Sequence, residues 1–270
     1  MGKNKKKLHR KHKIAFPDLE QILGFLTARA IMTPRDKFFY CQPYQKTSDA
    51  KTLLENNRFS GAPLEEEPIR RYVKLQKLQE CAEHIRYCVE AATEISENQK
   101  IPEYTTIERL ITVFVERDCP ELLFVTDDKS IVGLVTAADL DKIAVKVYFF
   151  ILISALESLL LDIIGKNYGN YKCLLENRRK VEKRYKKHKG ELVGLDEYNY
   201  LMTPEILEIV WKSEIKTTMN VRTEEELEEL NDFRNLIAHG NYIITKDEDI
   251  QRPKKMDARI RRYIKALERH

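Results

Sequence analysis

Two stretches in the first half of this chain repeat one order of elements, and this repeat constrains the fold more than any single residue. Residues 104–140 (YTTIERLITVFVERDCPELLFVTDDKSIVGLVTAADL) predict a capped helix, a buried strand, a short turn, a second strand and the start of another helix. Residues 46–66 (KTSDAKTLLENNRFSGAPLEE) predict a helix, a glycine turn and a strand entry. The sequence therefore predicts an α+β domain built from two copies, of which the first is degraded.

Strand patterns nearly vanish after residue 143, and the rest of the chain predicts helices near 144–167, 171–189, 203–217, 224–239 and 255–268. Thr203-Pro204 is a helix start, Thr223 with Glu226 fits a capping box, and Gly240 fits a C-terminal cap. We expect an all-α bundle of four or five helices, joined near residue 142 by a helix that runs unbroken out of the first domain. The predicted division is a flexible basic arm (1–15), the α+β domain (16–142) and the bundle (143–270).

Composition favours a folded cytoplasmic protein. The 270 residues are 43% hydrophobic, which argues against global disorder. Five cysteines without a CxxC motif indicate reduced thiols rather than disulfides or a metal site. The basic start lacks the apolar segment of a secretory signal. Because the apolar run 147–161 is short and carries Glu157, it favours a buried core helix over a membrane span.

Charge is distributed in blocks, although the net charge is only +4. Basic residues are concentrated in the first 13 residues, in RRKVEKRYKKHKG (178–190) and in the tail 252–270, whereas 224–232 is acidic. Basic blocks favour contact with a polyanion such as RNA, and they are equally typical of solvated helix faces. Both interpretations of these blocks stay open at this stage.

The second repeat ends in GLVTAADL, where Gly133, Thr136 and Asp139 lie at a strand-to-helix turn. A hydroxyl and free backbone N–H groups at such a turn can hold a phosphate, and a carboxylate three residues later can hold both hydroxyls of a ribose. The spacing Gly-x-x-Thr-x-x-Asp resembles the CBS domain, in which it carries this role. Upstream, IMTPRDKFFY and NNRFSGAPL resemble the opening and middle of another CBS unit.

The CBS resemblance covers about residues 25–142 and weakens in the first unit, where IRRYV replaces the clear ending. It implies a CBS pair with at most one strong site for an adenine nucleotide (ATP, ADP or AMP) acting as a regulator. The alternative is a CBS pair that binds no ligand and only dimerises.

A second motif lies in NDFRNLIAHGNY, residues 231–242, at the predicted end of an acidic helix. Asn235 and His239 are four residues apart and share a helix face, and the long side chain of Arg234 can reach the same cleft. The three residues supply a proton-transfer group, an amide that orients it and a permanent cation. Such a set suits RNA cleavage through attack of the ribose 2′-hydroxyl on its own phosphate, with no metal.

RNLIAH resembles the signature of the HEPN superfamily, an arginine followed after four to six residues by a histidine, in an all-helical context. The resemblance implies a metal-independent ribonuclease that works as a homodimer, with Arg234, Asn235 and His239 as catalytic candidates and Glu157 as a supporting one. In the alternative, Arg234 pairs with the acidic run and His239 caps its helix. Glu157 then belongs to a polar stripe that faces water.

Together these patterns predict an α+β CBS pair, made of α/β repeats, followed by an all-α HEPN bundle of four or five helices. The functional hypothesis is an endoribonuclease regulated by adenine nucleotide, with RNA as substrate and no membrane partner. Two alternatives stay open: a non-catalytic nucleotide-sensing module that binds RNA or protein, and a toxin neutralised by a separate partner.

Overall fold

The computed structural model describes residues 16–80, 85–117, 122–128, 130–167, 170–188, 196–244 and 250–269. The chain forms two compact units. The α+β unit comprises Leu23–Tyr148 and Tyr242–Lys254, and the helical unit comprises Met1–Ile22, Phe149–Asn241 and Lys255–His270. The predicted basic arm, residues 1–15, lies outside the described residues.

The described residues of the α+β unit form two small sheets. Its elements in chain order are β1 (Thr33–Pro34), α2 (Thr47–Asn57), β2 (Gly61–Pro63), β3 (Arg71–Lys74), α3 (Leu75–Glu80), α4 (Cys88–Ala91), β4 (Thr93–Glu94), β5 (Lys100–Pro102), α5 (Ile107–Glu116), β6 (Leu123–Asp127) and β7 (Ser130–Val135). One sheet has the strand order β1-β7-β6-β5 and the other the order β2-β3-β4. Strands β6 and β7 form an antiparallel hairpin, while β5 runs parallel to β6 because α5 crosses between them.

The predicted repeat is present in the structure. Helix α5 is capped by Thr106, whose side chain accepts a hydrogen bond from the backbone N–H of Arg109 at 3.3 Å. The apolar face of α5 is buried, and so are the first residues of β6. In the first copy, α2 leads to β2 through a turn, and a Cβ atom at Gly61 would lie 2.6 Å from the backbone oxygen of Val73. Only glycine permits this close approach of β2 to β3.

The remaining helices are α1 (Phe16–Gly24), α6 (Ile143–Asn167), α7 (Arg178–His188), α8 (Thr203–Trp211), α9 (Ile215–Thr218), α10 (Glu225–Ala238) and α11 (Gln251–Glu268). The helix predicted at 171–189 is a 3-10 turn at Tyr171–Leu174 followed by α7, and the helix predicted at 203–217 is divided into α8 and α9. The α+β region with a helix-rich remainder agrees with the predicted fold class, whereas the assignment of the remainder to the HEPN fold stays a prediction.

The expected unbroken helix through residue 142 is wrong. A 3-10 helix at Ala137–Asp141 ends at Lys142, which has an extended backbone (φ −65°, ψ 154°), and α6 begins at Ile143. The Lys142 ammonium donates to the Ile31 carbonyl and pairs with Asp139, so side-chain bonds favour this break. No helical signal in the sequence marks it.

Helix α6 is a core helix of the structure, as the sequence predicted. By length and composition alone it could also cross a bilayer. Its inward residues are buried, including Leu152, Leu156, Leu160 and Ile164. The buried rings of Phe149 on α6 and Phe233 on α10 meet edge to face, with centroids 4.8 Å apart.

Helix α10 ends as the sequence predicted. Gly240 has a positive φ of 68°, its N–H donates to the Ile237 carbonyl, and the Asn241 N–H donates to the Leu236 carbonyl. This is a Schellman motif, in which glycine adopts the left-handed conformation without strain. The helix start differs from the prediction, because the Glu226 carboxylate accepts from the Tyr263 hydroxyl at 2.9 Å instead of closing a capping box with Thr223.

Candidate functional site

The turn after β7 is organised by the buried carboxylate of Asp139. Its Oδ2 atom accepts the Thr136 backbone N–H at 2.6 Å and the Thr136 hydroxyl at 3.0 Å. Its Oδ1 atom lies 2.7 Å from the Lys142 ammonium. Asp139 is only 8% exposed, and these three donors balance its charge within the turn. The structure thus brings the predicted pair Thr136 and Asp139 into direct contact.

Gly133, the third predicted residue, lies where strand β1 meets β7. Pro34 pairs with Gly133 in this antiparallel ladder, and Thr33 pairs with Leu134. A Cβ atom at residue 133 would lie 2.4 Å from the sulfur of Met32, so a side chain there would displace that residue. The opening of the first predicted repeat therefore lies against the final strand of the second.

Two further residues shape this turn and were not identified from the sequence. The Lys142 ammonium pairs with Oδ1 of Asp139, whereas Thr136 donates to the other carboxylate oxygen, Oδ2. Asp141 accepts hydrogen bonds from the backbone N–H groups of Ile243 and Ile244, the latter at 3.2 Å. The Asp139–Lys142 pair has the spacing of a common local ion pair, which was a usable signal, but nothing in the sequence relates Asp141 to residues about one hundred positions later.

In the helical unit, Glu157 and Arg234 come together as the sequence suggested. The Arg234 Nε atom lies 3.8 Å from Glu157 Oε1, and the Thr203 hydroxyl donates to the same carboxylate oxygen. The Arg234 Nη1 atom lies 3.5 Å from Asn235 Oδ1. Thr203, at the start of α8, was predicted only as a helix start. We call these four residues the Arg234 cluster.

His239 occupies the C-cap of α10, immediately before the left-handed Gly240, and is exposed. Its backbone N–H donates to the Asn235 carbonyl at 3.0 Å. Within the described residues, no hydrogen bond or ion pair joins its imidazole to Glu157, Arg234 or Asn235. The structure therefore places His239 one helical turn from Asn235 with its ring open to solvent, while the other candidates contact one another.

The acidic start of α10 is neutralised by α11 rather than by Arg234. Glu229 pairs with Lys255 at 2.9 Å and with Arg259 at 2.7 Å, and Lys255 followed by Arg259 holds the pKa of this carboxyl below its usual value. Glu226 pairs with Arg262 at 3.4 Å. The guanidinium of Arg234 pairs with Glu157 of α6 and remains 37% exposed.

The alternative in which Glu157 only faces water also does not describe the structure. Its side chain is 26% exposed and engaged by Thr203 and Arg234. Asp162, farther along the same polar stripe, pairs instead with Lys166 four residues away. Among the described residues, no group of three histidine, cysteine, aspartate or glutamate side chains is arranged to hold a metal ion.

Comparison with known proteins identifies the second repeat. The family model of the CBS domain matches residues 94–146, a segment that contains β5, α5, β6, β7 and the Thr136–Asp139 turn. The chain therefore contains a CBS domain. No curated protein matches the chain.

Several solved structures are similar to a part of the chain. The CBS domain of a bacterial CNNM/CorC family Mg²⁺ transporter in complex with ATP is 22% identical, over 45% of this chain and 89% of that chain, with a TM-score of 0.37. CBSX2 in complex with AMP is 19% identical, over 45% of this chain and 98% of that chain, with a TM-score of 0.39. A hemolysin-like protein of Oenococcus oeni that contains a CBS domain is 16% identical, over 46% of this chain and 94% of that chain, with a TM-score of 0.36.

Proposed function

We propose that the α+β unit is a regulatory CBS pair that binds one adenine nucleotide at the turn formed by Gly133, Thr136 and Asp139. The observation that supports this most directly is the contact of Thr136 with the buried Asp139 carboxylate inside the segment that matches the CBS family. A carboxylate that is already ordered and nearly buried loses little conformational entropy when it binds a ribose. The first repeat lacks the corresponding ending, so one site is proposed rather than two.

When a nucleotide binds, the ion pair between Asp139 and Lys142 can be replaced by bonds from both residues to the nucleotide. A ribose that bonds to Asp139 takes over the oxygen that now faces Lys142. The released ammonium then becomes a donor for a nucleotide phosphate, next to the Thr136 hydroxyl. Charged hydrogen bonds of this kind contribute about 1.5–3 kcal/mol each.

We expect Asp139→Asn and Thr136→Val each to weaken binding of AMP, ADP or ATP by about 10- to 100-fold, measured by isothermal titration calorimetry. Both replacements keep the size of the side chain and remove its charge or its hydroxyl. Asp127→Asn, at the exposed end of β6, is the matched control and should bind like the wild type. Equal affinities for all four proteins would contradict the site.

A second candidate function concerns the helical unit, in which the contact between Glu157 and Arg234 favours a catalytic cluster. We propose metal-independent endoribonuclease activity there, in a cytoplasmic homodimer that places two clusters across a shared groove. Arg234 forms an ion pair with Glu157, whose carboxylate is fixed by the Thr203 hydroxyl, and more than a third of the Arg234 side chain stays open for a phosphate. A guanidinium held in this way stabilises developing negative charge without reorganising.

In the proposed reaction, the ribose 2′-oxygen bonds to the adjacent phosphorus and the bond from phosphorus to the 5′-oxygen breaks. His239 takes the proton of the 2′-hydroxyl as general base, or gives a proton to the leaving 5′-oxygen as general acid, and water accepts or supplies the other proton. Arg234 stabilises the charged phosphorane, and Asn235 orients His239 or the phosphate. The products carry a 2′,3′-cyclic phosphate and a 5′-hydroxyl.

The direct test is incubation of the protein with an end-labelled mixed RNA pool in EDTA, with and without AMP, ADP and ATP. Cyclic-phosphate ends that disappear with His239→Ala support the enzyme. RNA or protein binding without cleavage by a folded dimer supports the non-catalytic module. Growth arrest on expression that His239→Ala relieves, and that a separate partner suppresses, supports the toxin alternative.

Asp141 offers a route by which the nucleotide turn affects the cluster. It ends the 3-10 helix that begins after Thr136, and it holds the backbone at Ile243 and Ile244, a few residues after His239 in the chain. We expect Asp141→Ala, assayed at a nucleotide concentration that saturates it, to lose the nucleotide effect on cleavage, because coupling requires differential contacts. Asp127→Ala is the control, and an undiminished nucleotide effect in Asp141→Ala would contradict this route.

A further inference from the structure

Helix α7 presents one continuous basic face to solvent. The face consists of five exposed residues: Arg179, Lys180, Lys183, Lys186 and Lys187. At about 100° per residue these positions fall within an arc of about 120°. They span nine residues, and the eight steps between the first and the last cover about 12 Å along the helix axis. The sequence alone left open whether this charge serves a partner or only solvates a helix.

The opposite face of α7 is firmly attached to the helical unit. Val181 is fully buried, and Arg184 bonds to the Glu205 carboxylate and to the Tyr200 carbonyl. The rings of Tyr185 and Tyr200 meet edge to face with centroids 5.6 Å apart. These contacts fix which side of the helix faces outward, so the five cations form a defined surface.

Within the described part of the chain, none of the five cations of this face forms an ion pair. The bordering carboxylate of Glu182 is bonded by Arg178 at 2.7 Å, and Lys186 interacts with it only by longer-range attraction. The basic helix α11 differs, because its Lys255, Arg259 and Arg262 pair with carboxylates of α10. Concentrated unpaired cations at a fixed surface raise the local concentration of an anionic polymer.

We infer that the basic face of α7 docks the phosphodiester backbone of single-stranded RNA. The choice of RNA over DNA rests on the ribonuclease function proposed above, whereas the backbone chemistry rests on the charges alone. A membrane surface fits less well, because interfacial helices insert apolar side chains and the apolar residues of α7 pack against their own unit.

The test is fluorescence anisotropy of a labelled single-stranded 2′-O-methyl RNA, in which the blocked 2′-oxygen prevents cleavage, at 50–300 mM NaCl. We expect Lys183→Gln/Lys187→Gln to make the slope of log K against log salt less negative by about 1.4, since each single-strand phosphate contact contributes about 0.7. At 150 mM salt the affinity should fall about tenfold. Glutamine preserves helix propensity, and circular dichroism verifies the fold.

The matched control is Lys265→Gln/Arg269→Gln, an exposed pair with the same four-residue spacing on or just after α11, which should leave the slope unchanged. Equal slopes for both double variants, or tighter binding to a DNA of the same sequence, would overturn the inference. So would α7-dependent binding to phosphatidylserine vesicles without RNA binding. α7-dependent RNA binding with no cleavage of unmodified RNA would contradict the proposed ribonuclease activity but would still support RNA docking on α7.

Discussion

Replacing Arg234 with alanine should lower the rate of RNA cleavage in EDTA by about 10²- to 10³-fold, the usual cost of removing one preorganised charge stabiliser. The expectation follows from how the guanidinium is held, with Nε 3.8 Å from a Glu157 oxygen that also accepts the Thr203 hydroxyl. Its Nη1 atom lies 3.5 Å from Asn235 Oδ1, and the side chain as a whole is 37% exposed. Affinity for 2′-O-methyl RNA should stay within about threefold, because one phosphate contact contributes little at moderate salt.

Three further proteins make this result specific. Arg222→Ala removes an exposed arginine from the same unit and should cleave like the wild type. Arg234→Lys keeps the charge but loses the planar fork, so it should recover only part of the rate. The double variant Arg234→Ala/His239→Ala should lose little beyond either single change, because groups that act together are not additive. Wild-type rates in Arg234→Ala would remove the catalytic role of the cluster.

The parts of the fold that the sequence predicted well are those with local causes. The strands of the second repeat follow from a short apolar run bounded by DDKS, and the end of α10 follows from the conformational freedom of Gly240. The break at Lys142 was missed because its cause is a pair of side-chain bonds, one of them to the distant Ile31. Helix propensity contains no information about such bonds.

The candidate sites show the same division between local and distant causes. Thr136 and Asp139 are three residues apart, so the sequence placed both at one turn, and the structure shows that they also contact each other. The contacts of Thr203 with Glu157 and of Asp141 with Ile243 could not be predicted from spacing, because these residues are far apart in the sequence. The basic blocks are the clearest example, since their sequences look alike and only the structure shows that α11 is paired with α10 while α7 faces solvent.

The largest expected effect on stability is that of Phe233→Ala, which should reduce the free energy of unfolding by about 3–5 kcal/mol. Phe233 is fully buried on α10, and its ring contacts Phe149 of α6 at a centroid distance of 4.8 Å. Truncation leaves a cavity in a close-packed core. The chain's one tryptophan, Trp211, lies in the helical unit, so its fluorescence in a urea titration reports unfolding there.

Phe150→Ala is the matched control, because Phe150 follows Phe149 on α6 but is 58% exposed, and its loss should change stability by less than about 0.5 kcal/mol. A similar change in both variants would show that the contact between α6 and α10 does not hold the unit together. That contact also positions the Arg234 cluster, because α6 carries Glu157 and α10 carries Arg234. Phe233→Ala, assayed where it is still folded, should therefore also cleave RNA more slowly, whereas Phe150→Ala should not.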